Sequence, residues 1–165
     1  MAKVAVIMGS RNDFDIVKPA YDILKKFGVD VSVRVISAHR TPNEAAEFAS
    51  NAVENGFEVI IAAAGKAAHL GGVLAAYTPL PVIGIPVKSA TLDGLDSLLS
   101  TVQMPAGIPV ACVAVNGSEN AGLLAVQILS LKYPELMKKM TDYKKSLADK
   151  IAEDDQKLRN EISLL

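Results

Sequence analysis

The chain has 165 residues, with 17 Lys and Arg against 18 Asp and Glu and a formal net charge of -1. That length suits one domain with a substantial core, and the even balance of charge excludes both a basic field for nucleic acid and an acidic solvated arm. Hydrophobic residues make up 50% of the chain although no segment is long enough to span a bilayer, so the excess must be hidden in a doubly covered sheet or in subunit contacts.

The opening "MAKVAVIMGS" holds a short apolar run stopped by Gly9, too short for a signal segment or a membrane span, and it reads as a first strand. "DFDIVKPAYDILKKFG" follows as a helix with Gly28 as its stop, and Pro19 inside it is expected to kink or end a turn. "VSVRVI" is the second strand and "TPNEAAEFASNAVENG" the second helix, opened by Pro42 and closed at Gly56. "EVIIAAA" is the third strand, an Ala-rich helix runs from Ala67 to Tyr77, and "PVIGIPV" is the fourth strand. "LDGLDSLLSTVQMPAG" predicts a short helix and a Pro-Gly loop, with Asp93 and Asp96 read as helix caps. "PVACVAV" is the fifth strand and "SENAGLLAVQILSLKY" a further helix. From Pro134 onward, Leu136, Met140, Tyr143, Leu147, Ile151, Leu158 and Ile162 fall mostly three or four apart on one long amphipathic helix. Such a helix extends beyond what a small domain needs, and packing on a neighbouring subunit is expected.

Strands that are continuously apolar and alternate with helices are those of a parallel sheet buried on both faces. The expected fold is a three-layer α/β/α sandwich with a five-stranded, flavodoxin-like sheet in the order 2-1-3-4-5. The whole chain, 1–165, reads as a single α/β domain, with 134–165 as its C-terminal helical extension. The lone Cys112 sits in an apolar strand, reads as a core residue, and fits a reducing, cytoplasmic setting.

Open parallel sheets bind ligands beyond the carboxyl ends of their strands. The segments there are "GSRND", "SAHRTP", "GKAAHLGG" and "VKSATLDG". Three of them place hydroxyls and small residues before helices, where free backbone N–H groups favour a phosphate, and Arg40 adds a fork of donors suited to the same anion. Ser10, Asp13, Ser37 and Thr41 each suit helix capping when taken alone, but their coincidence on consecutive strand ends favours a site. The only two histidines, His39 and His69, fall in these same segments, which makes proton transfer near neutral pH a candidate chemistry. Two histidines without convergent cysteines or an HExxH spacing fall short of a zinc set, so no metal is expected. Neither a P-loop nor a GxGxxG fingerprint is present, and Lys66 reads as a cation facing solvent or an anion.

Together, "MGSRNDF", "VISAHRTP", "AAHL", "LPVIGIPV", "LDGLDSLLSTVQMPAGIPVACVAV" and "NAGLLAVQIL" resemble the class I N5-carboxyaminoimidazole ribonucleotide mutases of de novo purine synthesis. The resemblance implies a cofactor-free enzyme that moves a carboxylate from the exocyclic amine of an aminoimidazole ribonucleotide to the adjacent ring carbon through carbon dioxide. It implies a homo-octamer with sites at subunit junctions. By position it assigns Ser10, Ser37 and Arg40 to phosphate, Asp13 to ribose, and His39 to general acid and base. It sets His69 near the carboxylate-transfer region, where the small residues around Gly65 suit close backbone approach. The commonest family form reads "GAGGAAHLPG"; here Ala63 and Lys66 stand for glycines and Gly71 for the proline. Class II relatives, which carboxylate the nucleotide directly with carbon dioxide, typically lack "AAHL" and carry Lys at the Arg40 position. The remaining alternatives are that direct carboxylase and a non-catalytic, flavodoxin-like nucleotide-binding module. A receiver module is disfavoured, because "MGSRND" and "AAAGK" lack its acidic cluster and strand-end Asp.

Overall fold

A computed structural model describes residues 1–165. Five parallel strands, β1 (Lys3–Met8), β2 (Asp30–Val35), β3 (Val59–Gly65), β4 (Val82–Val87) and β5 (Ala111–Cys112), lie in the order β2-β1-β3-β4-β5. Six helices accompany them: α1 (Phe14–Phe27), α2 (Pro42–Ser50), α3 (Leu70–Tyr77), α4 (Leu95–Val102), α5 (Ser118–Ser130) and α6 (Pro134–Ile162). The expected sandwich and strand order are those observed.

Both faces of the central strands are covered, which explains their near-continuous apolar sequence. Val4, Val6 and Met8 of β1 point with Val59, Ile61 and Ala63 of β3 into the layer of α1, α5 and the start of α6. The alternate residues Ala5, Ile7, Ile60 and Ala62 pack with Ala45, Ala49, Leu70 and Leu74 of α2 and α3. On that second face α4 seats Thr101 over Gly84 of β4, where a side chain on the strand would collide with the helix. Fully burying a Val, Leu or Ile is worth about 1.5–3 kcal/mol, so the two layers hold the strand ends in fixed positions.

Three local expectations change. Pro19 neither ends nor divides α1, which runs on from Phe14 to Phe27. Pro19 and Asp15 are both exposed, so water can satisfy the Asp15 carbonyl that loses its helical partner. The fifth strand shrinks to two residues. Gly84 and Pro86 turn their carbonyls toward it, accepting from Val113 and Asn116, but Pro86 has no N–H to give in return and the ladder stops. The second helix ends at Ser50 and turns carry the chain to Gly56, whose φ of 78° fits only a residue without a side chain comfortably.

At 29 residues α6 is roughly 40 Å long. Only Leu136 and Met140 in its first two turns are buried. Leu147, Ile151, Leu158 and Ile162 stay 48–69% exposed. No helix is long and apolar enough to cross a membrane.

Candidate active site

In this strand order the chain leaves β1 toward one edge and returns at β3 toward the other, so the loops after β1, β2 and β3 diverge around one crevice. Gly9 sits at its floor, donating its N–H to the Ala63 carbonyl of β3 at 3.1 Å. Ser10 is extended, and its Oγ accepts from the Asn12 amide at 3.2 Å, closing the single 3-10 turn Arg11–Asp13 that leads into α1. Of the four candidate capping residues this is the one that caps a helical turn. Asp13 makes no cap with its side chain. Burial raises its carboxyl above the usual range, against the opposing pull of the Ser10 backbone and the Arg40 charge.

The loop after β2 is braced by its own side chains. Thr41 Oγ1 accepts from the Ser37 amide at 3.0 Å and donates to the Ser37 carbonyl at 3.1 Å, which takes it away from capping α2. Ser37 Oγ accepts from the Arg40 amide at 3.2 Å and from Arg40 Nε at 3.3 Å. Arg40 Nη2 then donates to the Gly9 carbonyl at 2.6 Å, tying the β2 loop to the β1 loop. The guanidinium is thereby aimed, with donors left over.

His39, from the same loop, meets His69 at the start of α3: His39 Nε2 and His69 Nδ1 lie 3.0 Å apart, with the rings edge to face. One of the two nitrogens carries the proton between them. His39 Nδ1 and His69 Nε2 make no hydrogen bond within the protein, so both ends of the pair can reach a ligand.

Gly65, at the end of β3, runs so close to β4 that a Cβ there would sit 3.3 Å from the Val87 carbonyl oxygen. After β4, Lys88 pairs with Asp93 at 2.5 Å and its amide donates to Asn116 Oδ1 at 2.9 Å. Ser89 Oγ donates to the Asp96 carboxylate at 3.0 Å. Asp93 and Asp96 therefore brace this loop and do not cap α4, contrary to the expectation from sequence.

All seven candidate residues, Ser10, Asp13, Ser37, His39, Arg40, Gly65 and His69, line one cavity of about 630 Å³. Lys66, Lys88 and Ser89 line it too; the latter two belong to a strand-end segment named in the sequence but given no role there. No three His, Cys, Asp or Glu side chains converge anywhere in the chain. Cys112 is half-buried at β5, outside this cavity, and burial pushes its thiol up, away from the reactive thiolate.

Residues 3–150 match the family model described as AIR carboxylase. The chain belongs to the AIR carboxylase family. Among the relatives of this AIR carboxylase family member, the N5-carboxyaminoimidazole ribonucleotide mutase of Thermotoga maritima is 53% identical over 158 residues, covering 96% of this chain and 92% of that protein. The mutase of Aquifex aeolicus is 58% identical over 137 residues, covering 83% and 82%. The solved structure of Treponema denticola PurE superposes with a TM-score of 0.88 at 31% identity, covering 96% of this chain and 99% of that one.

Proposed function

We propose that this family member is an N5-carboxyaminoimidazole ribonucleotide mutase of purine biosynthesis, an isomerase that forms the 4-carboxy-5-aminoimidazole ribonucleotide. The observation that carries the reading is the joined His39–His69 pair, which shares one cavity with the serine- and arginine-bearing loops, in a chain 53% identical to a protein of that name. Ser10, Ser37 and Arg40 take the phosphate, where amides of the opening turn and a braced guanidinium favour a dianion. Asp13 accepts from the ribose hydroxyls.

In the first half-reaction the bond between the exocyclic nitrogen and the carboxylate breaks, carbon dioxide leaves, and His39 gives the nitrogen its proton. In the second, the ring carbon attacks carbon dioxide and His39 removes the proton from that carbon, restoring both the aromatic ring and the catalyst. The carbon dioxide released is the carbon dioxide consumed, so no cofactor enters the balance. His69 holds the His39 ring through the 3.0 Å contact. A neutral gas is retained by walls and proximity alone, which the small residues Gly65 and Ala67 permit.

The exposed apolar positions of α6, with Leu95, Leu99 and Val102 on α4, support a homo-oligomer, read as an octamer. The single thiol agrees with a cytoplasmic setting.

A direct carboxylase is the second reading, favoured by one relative: the Vigna aconitifolia phosphoribosylaminoimidazole carboxylase is 51% identical over 152 residues, though the chain spans 27% of it. Assaying the purified protein without ATP, on the N-carboxylated nucleotide and separately on the uncarboxylated nucleotide with bicarbonate, separates the two. Conversion of the first in preference to the second is expected. His39→Asn should leave nucleotide binding nearly intact and cut turnover by about 10² or more; unchanged turnover refutes the acid–base assignment.

A further inference from the structure

We propose that Lys66 is the group that receives the transferable carboxylate, and that it makes the cavity prefer carboxylated over uncarboxylated nucleotides. The inference deepens the mutase reading and rests on it.

Three residues other than glycine adopt a left-handed backbone: Lys66 at φ 56°, Asp93 at 54° and Asn116 at 57°. Asp and Asn visit that region readily because a short polar side chain bonds locally. Both are also tied down by their side chains here, Asp93 to the Lys88 ammonium and Asn116 Oδ1 accepting from the Lys88 amide. A lysine has no such compensation, yet Lys66 holds the strained conformation at the cavity wall, between Gly65 and the turn that ends in His69.

The charges around the cavity point the same way. Its cationic side chains are Arg40, Lys66 and Lys88, and its one carboxylate is Asp13. Lys88 is neutralised by Asp93 at 2.5 Å. Arg40 is fixed by Gly9 and Ser37 in the loops suited to phosphate. Lys66 has no carboxylate within ion-pair distance and makes no side-chain hydrogen bond within the protein. A substrate bearing a phosphate and a carboxylate carries two anionic groups to this cavity; the phosphate engages Arg40, and the cation left for the carboxylate is Lys66. A compact ammonium on a flexible stem can follow that carboxylate from the exocyclic nitrogen to the ring carbon. It holds the carboxylate at both ends of the transfer and loses it in between, when the group is neutral carbon dioxide, so it tightens binding of both carboxylated nucleotides and does not lower the barrier.

The test uses the full chain, with Lys66→Gly, Lys66→Met and Lys66→Arg. KM for the N-carboxylated nucleotide and Kd for the C-carboxylated product, measured by calorimetry, should rise about tenfold in the Gly and Met variants. Kd for the uncarboxylated nucleotide should change less than twofold, kcat should not fall, and Lys66→Arg should retain most of the affinity. Lys66→Gly relieves the left-handed strain, so its melting temperature should equal or exceed that of the wild type, which separates lost binding from lost folding. Equal weakening of both nucleotides, or no change in either, overturns the assignment while the mutase reading stands. A wild-type chain that fails to interconvert the two carboxylated nucleotides sinks both.

Discussion

Replacing Arg40 with lysine keeps the charge and changes only the geometry, which makes it a sharp probe of the phosphate site. A guanidinium has five N–H donors. One on Nη2 goes to the Gly9 carbonyl and the Nε–H goes to Ser37 Oγ, so three remain for an anion and are held in a plane fixed by the two braces. A lysine ammonium has three donors in all, and keeping even one brace leaves at most two, unaligned. Hydrogen bonds to charged groups are worth about 1.5–3 kcal/mol each, and the retained charge offsets part of the loss, so a net cost of about 2 kcal/mol follows, or roughly thirtyfold in affinity. Calorimetric titration should show that weakening for the nucleotide, and less than twofold for the nucleoside that lacks the phosphate. The melting temperature should move by only a few degrees, since the braces lost are exposed loop contacts. Nucleotide affinity within twofold of wild type, or equal losses for nucleoside and nucleotide, would refute the reasoning.

Glu58, just before β3, accepts from Lys132 Nζ at 2.7 Å and from the Tyr133 hydroxyl at 2.8 Å. Its partial burial works to raise the carboxyl, but those two hydrogen bonds and the Lys132 charge outweigh it and hold the group below its ordinary 4.5. The stability it contributes is therefore present above that value and lost as pH falls through the lower folded one, so Glu58→Gln should separate from wild type in urea midpoint at pH 7, and the gap should be narrower at a pH below that ordinary value. A gap of the same size at both pH values contradicts the cause given. On α6, Ile151→Glu places a charge in the exposed apolar row and should shrink the particle seen in sedimentation without changing the helical circular dichroism; an unaltered particle size removes this helix from the contact.

The layers were readable because a parallel sheet covered on both faces leaves an unmistakable apolar pattern: Val59, Ile60 and Ile61 are all fully buried in succession. The strand-end rule then selected the segments carrying the seven cavity residues before any contact was known. Other features depended on partners far along the chain. The contact between His39 and His69 joins loops 30 residues apart, and it exists because β1 lies between β2 and β3. The brevity of β5 follows from which neighbour Pro86 faces, and strand composition does not encode that. Asp93 and Asp96 occupy a position typical of caps, but Lys88 and Ser89, folded back from the end of β4, compete for them and win. In the sequence Lys66 reads as a cation facing solvent or an anion; its backbone angle and its lack of a counter-ion appear only in three dimensions.

The two margins of the sheet have a consequence for a chain this rich in apolar residues. One is only two residues long, at β5, and the other, β2, carries Arg34 tethered to Glu44 of α2 at 2.7 Å. The β5 margin gives an added strand almost no backbone to template on, and the β2 margin presents the charged Asp30 and Arg34, so both margins discourage growth by strand addition, the usual route from crowded β-structure to fibrils.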